Sequence, residues 1–196
     1  RVDPAVETGA ADAELIGRCL SASQAASAAF DELYARHAGG VFAFLRGMHR
    51  GDEHAARDAL QETFFRFYKA LDRFEEGKPV RPWLLRIARN VSLDLLKKAS
   101  HQHEEPRGPE AFGALVGDAA GAPEAAAQRE AAALMRGAIS RMPDPERAVF
   151  LLKHDQDMTY AEVADALGCS LRTAKYRMKS ALELLGREAE RMGVGS

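Results

Sequence analysis

Residues 159–179 read Thr-Tyr-Ala-Glu-Val-Ala-Asp-Ala-Leu-Gly-Cys-Ser-Leu-Arg-Thr-Ala-Lys-Tyr-Arg-Met-Lys, a pattern that few folds accommodate. Thr159 followed three residues later by Glu162 is a capping box, which satisfies two orphan amides at a helix start. Gly168 suits the left-handed position that ends a helix, and Ser170 can cap the next one. The second helix carries Arg172, Lys175, Arg177 and Lys179, with no acid between 168 and 182. Val163, Ala164 and Leu167 make an apolar stripe on the first helix, and Leu171, Ala174, Met178, Leu182 and Leu185 make one on the second. Ala164 and Ala174 are small enough for close helix approach. The same caps would suit a structural hairpin, and a charged face is most often merely solvated. The two matched stripes favour a helix-turn-helix whose second helix lies in the DNA major groove.

The rest of the chain is helical in character. Alanine-rich stretches of 3.6-residue period fill most of its 196 residues, and neither an alternating run nor an Asn-Gly hairpin occurs. The expected fold class is all-α: two small helical domains, 12–99 and 124–191, joined by an irregular acidic linker, 100–123. The linker is rich in Gly, Pro and acid. Phe112, Leu115 and Val116 within it could form a short helix or docking segment. His101 and His103 lack further ligands nearby, so no metal and no cofactor is expected. Four helices are predicted in the first half, near 12–22, 26–48, 52–71 and 83–99, with a loop over 72–82. Gly39-Gly40 weakens the second by about 1 kcal/mol per glycine relative to alanine, which allows a bend there. Four more follow, near 124–141, 144–154 and the two of the hairpin, the last reaching about residue 191.

A formal net charge of −2 is unusual for a nucleic-acid binder, but its distribution is uneven. Residues 78–98 hold Lys78, Arg81, Arg86, Arg89, Lys97 and Lys98 against Asp94 alone, whereas 104–130 hold six acids against Arg107 and Arg129. Basic blocks flanking an acidic one should bind free duplex poorly and need a partner to order them. Cys19 and Cys169 lie far apart, which suits a reducing cytoplasm. No apolar run reaches the ~20 residues that span a bilayer. The first residue is Arg1, so a processed end or an appended remnant is expected over residues 1–10. His37, His49, His54 and His154 are isolated in sequence, and no nucleophile, base or metal constellation is evident. An enzyme is therefore not expected.

Three strings in order carry a resemblance to a known family. Asp58-Ala-Leu-Gln61-Glu62-Thr-Phe64-Phe-Arg-Phe-Tyr68 resembles the core-polymerase-binding helix of bacterial sigma factors. Arg81-Pro-Trp83-Leu84-Leu85-Arg86-Ile87-Ala88-Arg89-Asn90-Val-Ser-Leu-Asp94 resembles their promoter-melting helix, and 159–182 their minus-35 reading helix-turn-helix. Two such domains and an irregular linker are the layout of the extracytoplasmic-function (ECF) group of the sigma-70 family. The resemblance implies an alternative sigma factor that gives promoter specificity and DNA melting to bacterial RNA polymerase.

Residue by residue, it implies the following. Asp58, Gln61 and Glu62, which share a helix face with position 65, would dock on the coiled coil of the polymerase beta-prime clamp, while Phe64, Phe67 and Tyr68 turn inward. Phe74, Lys78, Arg81, Trp83, Arg86, Asn90 and Lys97 would meet the minus-ten strand, with cations on phosphates and planar groups on unpaired bases. Trp83 stands at a helix start, where a tryptophan is more often core than base-stacking, and Leu84, Ile87 and Val91 read as core. Arg172, Thr173, Lys175, Tyr176, Arg177, Lys179 and Ser180 would meet minus-35 DNA, a good base contact contributing about 1–3 kcal/mol of discrimination. A restraining anti-sigma factor is also implied. The acidic linker would either mimic nucleic acid in the polymerase cleft or act as a plain tether. Lys97 stands where the family usually has Arg, Pro82 where it has a small hydroxyl residue, and Arg172, Ala174 and Tyr176 where many members have Gly, Val and Ser. These departures bear on promoter sequence. The rivals from other classes are a free-standing helix-turn-helix regulator and a protein-binding helical adaptor.

Overall fold

The structure, a computed structural model, describes residues 4–21, 25–75, 77–102 and 123–191, with side chains for 11–21, 25–75, 77–100 and 132–191. The proposed linker segments at Phe112, Leu115 and Val116, and the histidines at 101 and 103, fall outside those side chains. Eight α-helices make up the described chain: α1 (Pro4–Leu20), α2 (Ala25–Met48), α3 (Glu53–Lys69), α4 (Val80–Gln102), α5 (Pro123–Arg141), α6 (Asp144–His154), α7 (Tyr160–Leu167) and α8 (Leu171–Arg191). A single 3₁₀ turn, Leu71–Arg73, follows α3. No strand occurs among the described residues, as the periodicity predicts.

Local chemistry sets the ends. Asp52 caps α3 by accepting from the Ala55 amide at 3.0 Å. Pro82 falls in the first turn of α4, where a missing N–H removes no intrahelical bond. Thr159 and Glu162 form the expected capping box, and Gly168 takes the left-handed conformation at φ 58° and ψ 41°. Ser170 accepts from the Thr173 amide at 3.0 Å, capping α8.

The first four helices pack in sequence order around Leu33, Val41, Phe44, Phe64, Phe67, Leu84 and Val91. Aromatic rings bind α2, α3 and α4 together: Tyr34 lies 4.6 Å from Phe64, and Trp83 lies 5.2 Å from Phe67 and 5.5 Å from Phe74. Edge-to-face and tilted pairs at such distances add to the area they bury. The last four helices enclose Val149, Leu152, Met158, Val163, Ala174 and Met178.

Several expectations are corrected. Helix α2 runs without a break through Gly39-Gly40. Tyr68 does not turn inward with Phe64 and Phe67 but stands 55% exposed, because α3 ends one residue later. The buried stripe of α8 is Ala174, Met178 and Ala181, while Leu171 and Leu182 are exposed and Leu185 is half-buried. Two of the histidines lie in the core: buried His37 is 2.8 Å from the Asp12 carboxylate, and buried His49 is 3.0 Å from the Ser92 hydroxyl. The two helical domains also touch each other. Helix α4 lies along α7 and α2 along α6, so one continuous core joins both halves.

Candidate nucleic-acid interface

Helix α3 presents Asp58, Gln61 and Phe65 to solvent, with Glu62 half-buried beside them. Position 65 completes the face predicted from spacing, and it is apolar. Glu62 is not free: Arg66 donates to it at 2.6 Å and to Asp94 of α4 at 3.0 Å. Both pairs are exposed, and such pairs contribute only ~0–1 kcal/mol, so Arg66 can exchange partners at little cost. Beside Gln61 opens a surface groove of about 550 Å³, lined by Phe30, Tyr34, Phe64, Phe65 and Tyr68. The sequence reading missed this groove. Its one advance signal was Phe65, an aromatic residue placed on an otherwise polar helix face.

The residues assigned to the minus-ten strand divide into two sets. Lys78, Asn90 and Lys97 are exposed, Lys78 pairing with Glu75 at 2.6 Å and Asn90 accepting from Arg89 at 3.1 Å. Trp83 and Phe74 are half-buried against each other and the core, so their ring faces are largely committed to packing. Arg81 and Arg86 keep exposed surface but face the second half of the molecule. Arg81 Nη2 donates to the Gln156 carbonyl at 2.6 Å and to its side-chain oxygen at 3.0 Å. A Cβ at Gly168 would lie 3.5 Å from Arg86 Nη2, so that guanidinium sits on the turn between α7 and α8. Arg89 is drawn in too. Burial pushes its pKa down, and the positive charges of Arg177 and Arg86 push the same way. Gln156, 3% exposed, was not anticipated, since one amide in a loop gives no sequence signal.

Of the α8 residues assigned to minus-35 DNA, Arg172, Lys175, Tyr176 (71%) and Lys179 are exposed. Thr173, Arg177 and Ser180, assigned to the same DNA, are half-buried; Thr173 shares a hydroxyl contact of 2.8 Å with Ser170 because it belongs to the cap. Lys175 and Lys153 lie about 6 Å from the Tyr160 ring, holding two cations beside the start of α7. The result is a cationic ridge along α8 with Tyr176 at its crest. Among the described residues no cluster of His, Cys, Asp or Glu could hold a metal ion, and no helix is long and apolar enough to cross a membrane.

Residues 33–102 match the family described as sigma-70 region 2, and residues 132–185 match sigma-70, region 4. The chain is 31% identical over 158 residues to the ECF RNA polymerase sigma factor SigM of Bacillus subtilis (strain 168), covering 79% of this chain and 93% of that one. It is 30% identical over 176 residues to an ECF RNA polymerase sigma factor, SigM, of Mycobacterium tuberculosis (strain ATCC 25618 / H37Rv), covering 90% and 83%. Among solved structures, CnrH in complex with the cytosolic domain of CnrY superposes with a TM-score of 0.66 at 25% identity, covering 95% of this chain and 99% of that chain. With both regions matched in order and these identities over most of the chain, the chain belongs to the ECF group of the sigma-70 family and is an alternative sigma factor for transcription initiation.

Proposed function

We propose that the two halves divide the work of initiation, with residues 12–99 docking on core polymerase and opening the minus-ten region, and 124–191 reading the minus-35 duplex. The observation that carries the reading is the opposed chemistry of α3 and α8: an acidic and amide face at one end, a cationic ridge at the other. The face of Asp58, Gln61 and Glu62 would meet the basic coiled coil of the beta-prime clamp, and the aromatic groove beside Gln61 would receive an apolar side chain of the same partner. An amphipathic helix laid into such a groove is a common recognition mode.

On the DNA, Lys78, Arg81, Arg86 and Lys97 would neutralise phosphates of the minus-ten strand, and Asn90 would supply a polar contact. Phe74 and Trp83, packed against each other, would form the wall of the strand path rather than stack freely on bases. Arg172, Lys175, Tyr176 and Lys179 would enter the major groove, with Thr173, Arg177 and Ser180 along its margin. The relative CnrH was solved with the cytosolic domain of CnrY, and an anti-sigma partner is proposed here too. Residues 100–123 would link the two domains, and the setting would be the cytoplasm.

The test is transcription in vitro. Core polymerase with a pooled genomic promoter library should give discrete run-off products only when this chain is added. Tight binding of the chain alone to duplex DNA, with no initiation, would instead indicate a free-standing regulator.

A further inference from the structure

One guanidinium joins the two helices of the first half that carry different assignments, α3 for docking and α4 for the minus-ten strand. Arg66, one turn after Glu62 on α3, donates from Nε to Glu62 Oε1 at 2.6 Å and from Nη1 to Asp94 Oδ2 of α4 at 3.0 Å. Each carboxylate takes a single bond from a different nitrogen. Neither engages the guanidinium bidentately, which is its strongest mode. All three side chains reach solvent, between 41% and 52% exposed, so groups from another molecule can reach them. The charges of the trio do not balance, since two carboxylates share one cation.

Asp94 stands among residues assigned to the minus-ten strand. Asn90 precedes it by one turn and Lys97 follows it by one, so the three lie along one exposed face of α4. A bare carboxylate on that face opposes the phosphates that its cations attract. Among the described residues, Asp94 pairs with Arg66 and not with Lys97 or Lys98, although both are a turn away. Glu62 belongs to the face that would meet the basic clamp. A clamp cation paired with Glu62 removes one of the two claims on Arg66. The guanidinium is then left to Asp94, to which it can turn two N–H groups in place of one.

We propose that Arg66 is a positioning residue that couples docking to strand opening: polymerase takes Glu62, and Arg66 passes wholly to Asp94 and neutralises it as the minus-ten strand arrives. The proposal rests on the sigma-factor reading above and deepens it by naming the residue that links its two steps. Exposed ion pairs are weak, so the exchange disturbs neither helix.

The experiment uses the full chain with core polymerase on a promoter recovered from the run-off pool. Two quantities are measured: equilibrium affinity for core enzyme, and permanganate reactivity of unpaired minus-ten thymines at saturating core. Arg66→Gln should keep the affinity, since Glu62 remains. It should lower the opened fraction about threefold or more, the effect of one uncompensated like charge beside the strand. Asp94→Asn added to Arg66→Gln should restore opening, because no carboxylate is then left to neutralise. A packing role for Arg66 predicts no such rescue. Unchanged opening in Arg66→Gln, or a loss that Asp94→Asn does not restore, overturns the proposal. A fall in core affinity equal to the fall in opening also overturns it, by making Arg66 a docking residue only. Circular dichroism checks the fold. If Arg66→Gln loses helicity, Arg66→Met, which keeps the aliphatic stem and a good helix former, repeats both measurements with the same outcomes. If the wild type itself gives no run-off product, the sigma-factor reading fails instead, so the two failures are distinguishable.

Discussion

Arg147 is fully buried, yet it sits in a Pro-Asp-Pro-Glu-Arg string that reads as surface. Its Nη1 donates to the carbonyls of Ser140 (3.2 Å) and Met142 (3.0 Å), and its Nη2 to the Asp144 carboxylate. It thereby satisfies the carbonyls that end α5 and ties them to the start of α6. Burial lowers its pKa, opposed by Asp144, but a guanidinium stays charged throughout the physiological range. Replacing it by Met leaves these buried acceptors unpaired, so Arg147→Met should cost about 2–4 kcal/mol, measured by denaturant unfolding. His49 gives a second residue-scale prediction. Burial is the main cause that lowers its pKa from 6.5; Arg147 adds to it, while Asp52 and Asp144 oppose it. The unfolded chain therefore binds a proton more readily than the folded one, and stability rises with pH across that interval. The His49 contribution is fully present above pH ~6.5 and is lost as pH falls toward the depressed value. Unfolding midpoints between pH 7.5 and 5 should fall less steeply in His49→Gln than in the wild type. Neither role was legible in the sequence, because burial of a charged or titratable side chain depends on elements distant along the chain.

Helices α7 and α8 were the most legible, and the reason is local. Cap, stop and second cap all lie within the segment: Thr159 with Glu162, Gly168 at φ 58°, and Ser170. Thr159→Ala should reduce stability by ~1 kcal/mol through loss of the cap. Gly168→Ala should cost about 1–2 kcal/mol, since only glycine adopts the left-handed conformation without strain. Thermal unfolding checks both, and the two effects should fall short of additive because they act on one short helix. The apolar stripe of α8 was legible only in part. Ala181 is completely buried and Leu182 is exposed, so the closed side of α8 runs through alanine rather than leucine there. Residue size points to an apolar face, but the neighbour decides which side of it is closed. On α2 the same limit applied: Gly39-Gly40 reads as a weak point, whereas Gly40 is where Gln156 approaches.

For the whole molecule, the order of elements and the all-α class followed from periodicity alone, while the closeness of the two halves did not. That closeness involves residues with no local pattern, Gln156 accepting from Arg81 of the other half. The polar face of α3 was visible from spacing, and the aromatic groove beside it was not, because Phe30 and Tyr34 come from another helix. Reversing the charge at Asp58 and Glu62, both to Lys, should lower affinity for core polymerase at least a hundredfold while leaving the fold intact, since both lie on the surface of α3. Tyr68→Ala should weaken the same binding about tenfold through loss of an aromatic contact at the groove. Equilibrium binding to core enzyme separates these effects from changes in stability. The most direct test combines this chain, core polymerase and a promoter pool in a run-off assay. Discrete transcripts that require the wild-type chain and vanish with the Asp58→Lys, Glu62→Lys variant are the predicted result. Transcripts identical with and without the chain, or undiminished in that variant, would contradict the account.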